Sequence, residues 1–357
     1  MPRLWLPAAA CWLMAVGRLI NMAKVTSQDV AKLAGVSQSA VSRVFTPGAS
    51  VSKEMADKVR QAADELGYRP NILARSLITG NSRIIGVVVS YLNNQFYPEI
   101  LEILSAELRK RGYHPLMFMA SENDDMDEVM SEILDYQVDG VVLLSVNMSS
   151  ALAERCRAAS IPVVLFNRYL EKDRFHAVTT NNYEGGSKVA ELFIAAGHQR
   201  IGYIAGWEET STQRDREKGF VDTLKKAGIE LFDRQVGNYN YEETIQATRT
   251  MFTSQEYPDA VFFANDHMAF AALGVLEKEL GLKVPEDVSV VGFDDVPLAS
   301  WPVFNLTTVR QPAKSMVAET IRLLFDVDSN ASQPIHIEID GPLMIRNSAK
   351  VPQGYTS

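Results

Sequence analysis

The chain has only two cysteines, Cys11 and Cys156. That excludes a disulfide framework and a cysteine metal site, and it fits a reducing compartment such as the cytoplasm. The five histidines are scattered, with no spacing that holds a metal. No G-x-x-x-x-G-K-[ST], G-x-S-x-G or H-E-x-x-H motif occurs, so phosphate-loop, serine-hydrolase and zinc-protease chemistries lack their usual signs. The carboxylate neighbours Asp294 and Asp295 are poorly suited to paired acid–base work, since adjacent residues at a strand end point different ways. No enzyme activity and no cofactor are expected. There is no fixed-period repeat, no low-complexity tract, and no useful heptad run in the tail GPLMIRNSAKVPQGYTS, so a tetramer-forming coiled coil is not expected. The apolar run Leu4–Val16 in MPRLWLPAAACWLMAVGRLIN is too short to span a bilayer comfortably, though it has about the length of a signal-peptide core.

A chain of 357 residues allows two or three domains, and 46% hydrophobic residues suffice for a substantial core. The net charge of −9 is unevenly spread. Between Lys24 and Arg83 nine Lys/Arg face five Asp/Glu, a net +4, which leaves −13 for the rest. A basic head on an acidic body suits a small DNA-binding module joined to a larger regulatory domain.

The most informative stretch is Val25–Phe45, VTSQDVAKLAGVSQSAVSRVF. Thr26 and Asp29 have the spacing of a capping box. Val30, Leu33 and Ala34 form one apolar stripe of a first helix. Gly35 can take the left-handed conformation that ends it. Ser37 caps a second helix, Gln38–Phe45, whose buried face is Ala40, Val41 and Val44. Ser37, Gln38, Ser39, Ser42 and Arg43 remain outside. Two short helices about a tight glycine turn make a helix-turn-helix, and an arginine with short polar neighbours can read base edges in the major groove. An ordinary αα-hairpin would share the helices but has no need of that polar face. A third helix follows, capped by Ser52, with Val51, Met55, Val59, Ala62 and Leu66 at helical spacing and Gly67 at its end. After Tyr68-Arg69-Pro70, Asn71–Ile78 reads as a short helix, marginal on its own in water.

Beyond Arg83 the pattern changes to apolar strands alternating with helices. Strands are expected at Ile84–Ser90, Pro115–Met119, Gly140–Leu144, Pro162–Phe166, Ile201–Ala205, Ala260–Ala264, Val288–Gly292 and Ile335–Ile339. Helices are expected at Pro98–Arg111, Met126–Gln137, Ser149–Ala159, Asn181–Ala196, Arg214–Ala227, Glu242–Phe252, His267–Leu280 and Ala313–Phe325. Runs of βαβ units imply parallel sheets covered on both faces, here as two α/β subdomains.

VTSQDVAKLAGVSQSAVSRVF and the following VSKEMADKVRQAADELGYRPNILARSLITG closely resemble the headpiece of the lac repressor (LacI/GalR) family, and a looser likeness runs through most of the chain. The resemblance implies a three-helix headpiece at residues 22–69, a hinge helix and linker at 70–82, and a type I periplasmic-binding-protein-like body at 83–348. Within that body it implies an N-subdomain of 84–180 plus 310–329 and a C-subdomain of 181–309 plus 330–345, with the tail at 349–357. Residues 1–21 are then an extension, with Met22 the expected start. The implied DNA contacts are Thr26, Ser27, Gln28, Ser37, Gln38, Ser39, Ser42 and Arg43, with Asn71, Ala74 and Leu77 in the hinge and Leu77 as a minor-groove wedge. The implied effector residues are Phe96, Tyr97, Asn167, Arg168, Arg216, Tyr239, Asn265, Asp294 and Gln311, in a cleft at the strand ends. Acid, amide, arginine and aromatic groups together suit a sugar or related polyol. The resemblance further implies a homodimer on a near-palindromic double-stranded operator, acting as a repressor and without a membrane. A secreted sugar-binding receptor is the alternative. It would share the body and the apolar leader, but it has no use for the headpiece.

Overall fold

The computed structural model describes residues 25–46, 48–70, 81–90, 92–120, 126–144, 155–156, 158–170, 175–327 and 333–355. The chain divides into two compact units, Met1–Ser82 and Arg83–Ser357. The expected extension at 1–21, the hinge helix Asn71–Ile78 and most of the expected helix Ser149–Ala159 lie outside the described residues.

In the first unit the helices are α1 Ser27–Ala34, α2 Gln38–Val44 and α3 Lys53–Leu66. The capping box forms: Thr26 Oγ1 accepts from Asp29 N, and the Asp29 carboxylate accepts from Thr26 N at 2.9 Å. Ser37 and Ser52 cap α2 and α3 by accepting from Ala40 N and Met55 N. Each such cap contributes about 1 kcal/mol. Gly35 and Gly67 end α1 and α3 with φ of 69° and 65°, where a Cβ would be strained. Val30, Val41, Val59, Ala62 and Ala63 close the core. Leu33 departs from the expected stripe and is 47% exposed. Ala31 and Ala34, on the other flank of Val30, set the inward direction of α1, so Leu33 is turned to the side.

The second unit contains two six-stranded sheets. Its elements begin with β1 Ile84–Val89, α4 Phe96–Lys110, β2 His114–Met119, α5 Met126–Asp135, β3 Gly140–Leu144, β4 Val163–Phe166 and β5 His176–Thr180. They continue with α6 Asn182–Ala195, β6 Ile201–Ala205, α7 Ser211–Lys226, β7 Asp233–Val236, α8 Tyr241–Met251, β8 Ala260–Phe263 and α9 Asp266–Gly274. The last are β9 Ser289–Asp294, β10 Thr307–Arg310, α10 Ala313–Phe325, β11 His336–Ile339 and β12 Leu343–Met344. The sheet orders are β11-β5-β4-β3-β1-β2 and β12-β10-β9-β8-β6-β7. Among the described strands, only β12 runs antiparallel to its neighbour. The central strands β3, β4 and β9 are buried along their whole length, as the apolar runs require.

Several boundaries differ from the sequence reading. Strands β5, β7, β10 and β12 were not expected, because HAVTT, DRQV, TTVR and LM are short or polar and carry little strand signal. Strand β11 pairs in parallel with β5, His336 opposite Ala177, so residues 336–339 belong to the first sheet and not to the C-subdomain. The chain enters the second sheet after Thr180 and returns to the first through α10, which packs on α4, β4 and β5. It goes back to the second sheet only for β12. Helix α4 starts at Phe96, earlier than Pro98, and α7 starts at Ser211, earlier than Arg214. The α-helix expected to reach Leu280 ends at Gly274 and continues as a π turn, Val275–Glu279.

Helices α6 and α7 touch through glycines. A Cβ on Gly186 would collide with the Arg216 carbonyl, and one on Gly219 with the Tyr183 carbonyl. This backbone-to-backbone approach fixes α7 against the second sheet and sets the depth of Arg216.

Candidate functional site

In the headpiece, Gln38, Ser39, Ser42 and Arg43 are exposed on α2, where spacings of four residues place Gln38 beside Ser42 and Ser39 beside Arg43. Gln38 donates to Ser27 Oγ at 2.9 Å, which ties the start of α2 to the start of α1. Ser37 bonds Ser39 at 2.9 Å while capping α2. Thr26 and Gln28 are exposed at the amino end of α1. Asn71, Ala74 and Leu77 fall outside the described residues.

In the body, a cavity lies between the facing carboxyl ends of the two sheets. Asn94, Tyr97, Asn167, Arg168, Thr212, Arg216, Tyr239, Asn265 and Asp294 line it. Seven of these were expected. Two were not: Asn94, two residues before α4, which accepts from Phe96 N at 3.0 Å, and Thr212, in the first turn of α7. Placing the helix starts at their caps would have exposed both.

Two expected residues stand elsewhere. Phe96 is 2% exposed within the first-sheet core, its ring 6.3 Å from that of Phe166. Successive helical residues point in different directions, so only Tyr97 reaches the cleft. Gln311 does not line the cavity. It sits behind it, donating to Asp294 Oδ1 at 2.7 Å while accepting from Thr180 Oγ1 at 2.8 Å.

Asp294 is the electrostatic centre. It ends β9 with φ 130°, followed by Asp295 at φ 55°. Asp295 turns away and accepts from Arg310 and Arg346, each at 2.6 Å. The side chain of Asp294 accepts from Asn94 Nδ2 at 2.9 Å and lies 3.6 Å from the Arg216 guanidinium. Burial pushes its pKa up, while Arg216, Asn94 and Gln311 oppose that. Behind it Asp266 accepts from Val296 N at 3.0 Å and from Thr308 Oγ1. Burial, reinforced by the charge of Asp294, pushes the Asp266 pKa up to about 8.

Arg216 is held on three sides. Its Nε donates to Asn182 Oδ1 at 2.8 Å, its Nη1 to the Ala264 carbonyl at 2.6 Å, and its guanidinium lies 3.6 Å from the Phe293 ring centre. Asn265 caps α9 by accepting from Met268 N at 3.0 Å. Tyr239, at φ 55°, lies flat against Gly206, where any Cβ would strike its ring. Asn167, at φ 65°, donates to Tyr97 Oη at 3.3 Å, and its Oδ1 has no partner. Arg168 is 5% exposed, lies 5.6 Å from the Trp207 ring, and leaves Nε unpartnered. Tyr169 reaches across the cleft, donating from its backbone N to Ser211 Oγ at 3.1 Å and from Oη to Asp215 at 3.3 Å. Trp301 is 55% exposed and takes no part in the cavity. His198 follows the end of α6 and bonds Asp259 at 3.1 Å. No cluster of metal-ligating side chains occurs among the described residues.

Residues 26–71 match the model for bacterial regulatory proteins of the lacI family, and residues 190–349 match a periplasmic binding protein-like domain. The HTH-type transcriptional regulator CelR of Thermobifida fusca is 33% identical over 333 residues, covering 90% of this chain and 98% of that protein. The chain belongs to the LacI family of bacterial regulatory proteins. Solved structures of LacI-family regulators agree. A CelR–cellobiose complex is 32% identical, covers 91% of this chain and 100% of that one, and superposes with a TM-score of 0.67. A lac repressor dimer bound to operator and the anti-inducer ONPF is 26% identical, covers 91% and 99%, and has a TM-score of 0.81. As a LacI-family member the protein is a DNA-binding transcriptional regulator of helix-turn-helix type, with a periplasmic-binding-protein-like body. A transport receptor does not account for residues 26–71. No helix among the described residues is long and apolar enough to cross a membrane.

Proposed function

We propose that this regulator is a repressor that works as a homodimer in the cytoplasm, on a near-palindromic operator, without enzymatic activity. A polyhydroxylated effector in the cleft sets its hold on DNA. The cavity supports this reading: a carboxylate, two arginines, three asparagines and two tyrosines converge where the two sheets meet. Carboxylate and amide groups bridge hydroxyls, and aromatic faces cover the apolar side of a sugar ring. The relatives fit: CelR was solved with cellobiose, and the lac repressor as a dimer on its operator. Helix α2 reads base edges through Arg43, with Gln38, Ser39 and Ser42 beside it, while Thr26, Ser27, Gln28 and Ser37 hold phosphates. Asn71, Ala74 and Leu77 extend the contact into the minor groove. An effector that prefers one arrangement of the two subdomains shifts the population able to dock.

The test is a gel-shift selection from genomic fragments, repeated with Arg43→Ala. The variant loses about 1–3 kcal/mol at the selected operator and relaxes preference at one base pair per half-site. Unchanged sequence preference removes α2 as the reader, and a parent chain that selects no fragment ends the operator reading.

A further inference from the structure

The cleft holds a charge that no described residue balances. Arg216 faces Asp294, but Arg168 faces no carboxylate: its Nε has no hydrogen-bond partner, and no ion pair reaches its guanidinium among the described residues. Yet Arg168 is only 5% exposed. A buried cation without a counter-charge is unfavourable unless something supplies one. The Trp207 ring lies 5.6 Å from its guanidinium, within reach of a cation–π contact, which supplies no counter-charge. Beside it Asn167 is 4% exposed, and its Oδ1 is unpartnered too. Both side chains line the cavity. A second feature has the same sign. Tyr97, Thr212 and Asn265 sit at the amino ends of α4, α7 and α9, so three helices present their positive ends to one cavity. Asp294, the only carboxylate in the lining, already accepts from Asn94 and Gln311 and faces Arg216.

We propose that the effector is a hydroxylated anion, a sugar acid or sugar phosphate. Its carboxylate or phosphate takes the fork of Arg168, and an adjacent hydroxyl donates to Asn167 Oδ1. This rests on the cleft being the effector site, and it narrows the polyol of the proposed function to a charged one. A neutral sugar would leave Arg168 buried without a counter-charge.

The experiment is calorimetry and thermal melting of the full chain with matched probes: glucose, gluconate, glucuronate and glucose phosphate. The neutral parent controls for hydroxyl recognition, and the carboxylates against the phosphate distinguish the two sources of the anion. At least one anion binds about tenfold or more tighter than glucose, a difference of about 1.4 kcal/mol. Arg168→Gln removes that preference, and Arg168→Lys restores part of it. The melting temperature of Arg168→Gln without probe stays level or rises, because an unbalanced buried charge has gone; a merely structural arginine would lower it. If no anion binds better than glucose, the proposal is overturned, and glucose binding alone keeps the cleft as the effector site. An anion preference that persists in Arg168→Gln overturns the assignment to Arg168.

Discussion

Asp294→Asn preserves shape and removes charge, and the surroundings of Asp294 allow its effect to be worked out. The carboxylate accepts from Gln311 at 2.7 Å on one oxygen and from Asn94 at 2.9 Å on the other. Asparagine offers one oxygen and one NH2, so one of those donors must face another donor. Neither can turn its amide over. The oxygen of Asn94 is held by Phe96 N at 3.0 Å, and that of Gln311 by Thr180 at 2.8 Å. One buried donor is left unmet, which costs about 1–3 kcal/mol. Arg216 also loses a charge at 3.6 Å. It keeps Asn182, Ala264 and Phe293, so this loss falls below the ~3–5 kcal/mol of a fully broken buried pair. The sum is about 2–4 kcal/mol, or roughly 3–7 °C in melting temperature for a body of this size. Calorimetry of the full chain without ligand reads it. In an Asn94→Ala background the same change should cost less by about 0.5–3 kcal/mol, since the opposed donor is gone. Melting within about 1 °C of the parent would show that Asp294 is not held as described. The effector, competing for the same oxygens, should bind about 1.5–3 kcal/mol more weakly.

Two other expectations follow from the cleft. Gly206→Val drives a side chain into the Tyr239 ring. It should destabilise the body by about 1–3 kcal/mol of overpacking and abolish the effector's thermal shift; an unaltered shift would remove Tyr239 from the binding wall. Asp266 keeps its proton in the folded state up to about pH 8, whereas the unfolded chain loses it near the ordinary 3.8. Its contribution to stability is therefore complete below that lower value and declines as pH rises towards the higher one. Buried His198, whose pKa is lowered by desolvation, acts in the opposite sense, but it cancels in a comparison with Asp266→Asn. Stability of the parent minus that of Asp266→Asn, from melts at about pH 5 to 8, should fall with pH; a flat difference refutes the raised pKa.

The headpiece was legible because its signals are local. Thr26 with Asp29, Ser37 with Ala40 and Ser52 with Met55 lie three residues apart, and Gly35 and Gly67 act on the backbone where they stand. The buried strands were legible for a similar reason, since an apolar run such as Gly140–Leu144 needs no distant partner to declare itself. What required the folded chain was everything set by segments far apart. Asn94 and Asp294 are 200 residues apart in sequence and meet only because two sheets face each other. Helix direction puts Tyr97 on the cavity wall and Phe96 wholly in the core behind it, though both are buried, and the facing sheets place Gln311 behind Asp294. Strand β11 joins the first sheet through pairing with β5, a choice that HIEI cannot carry by itself. Residue type and helical period determined which side chains could do chemistry; sheet pairing and helix direction decided which of them share a cavity, and left Arg168 in it without a counter-charge among the described residues.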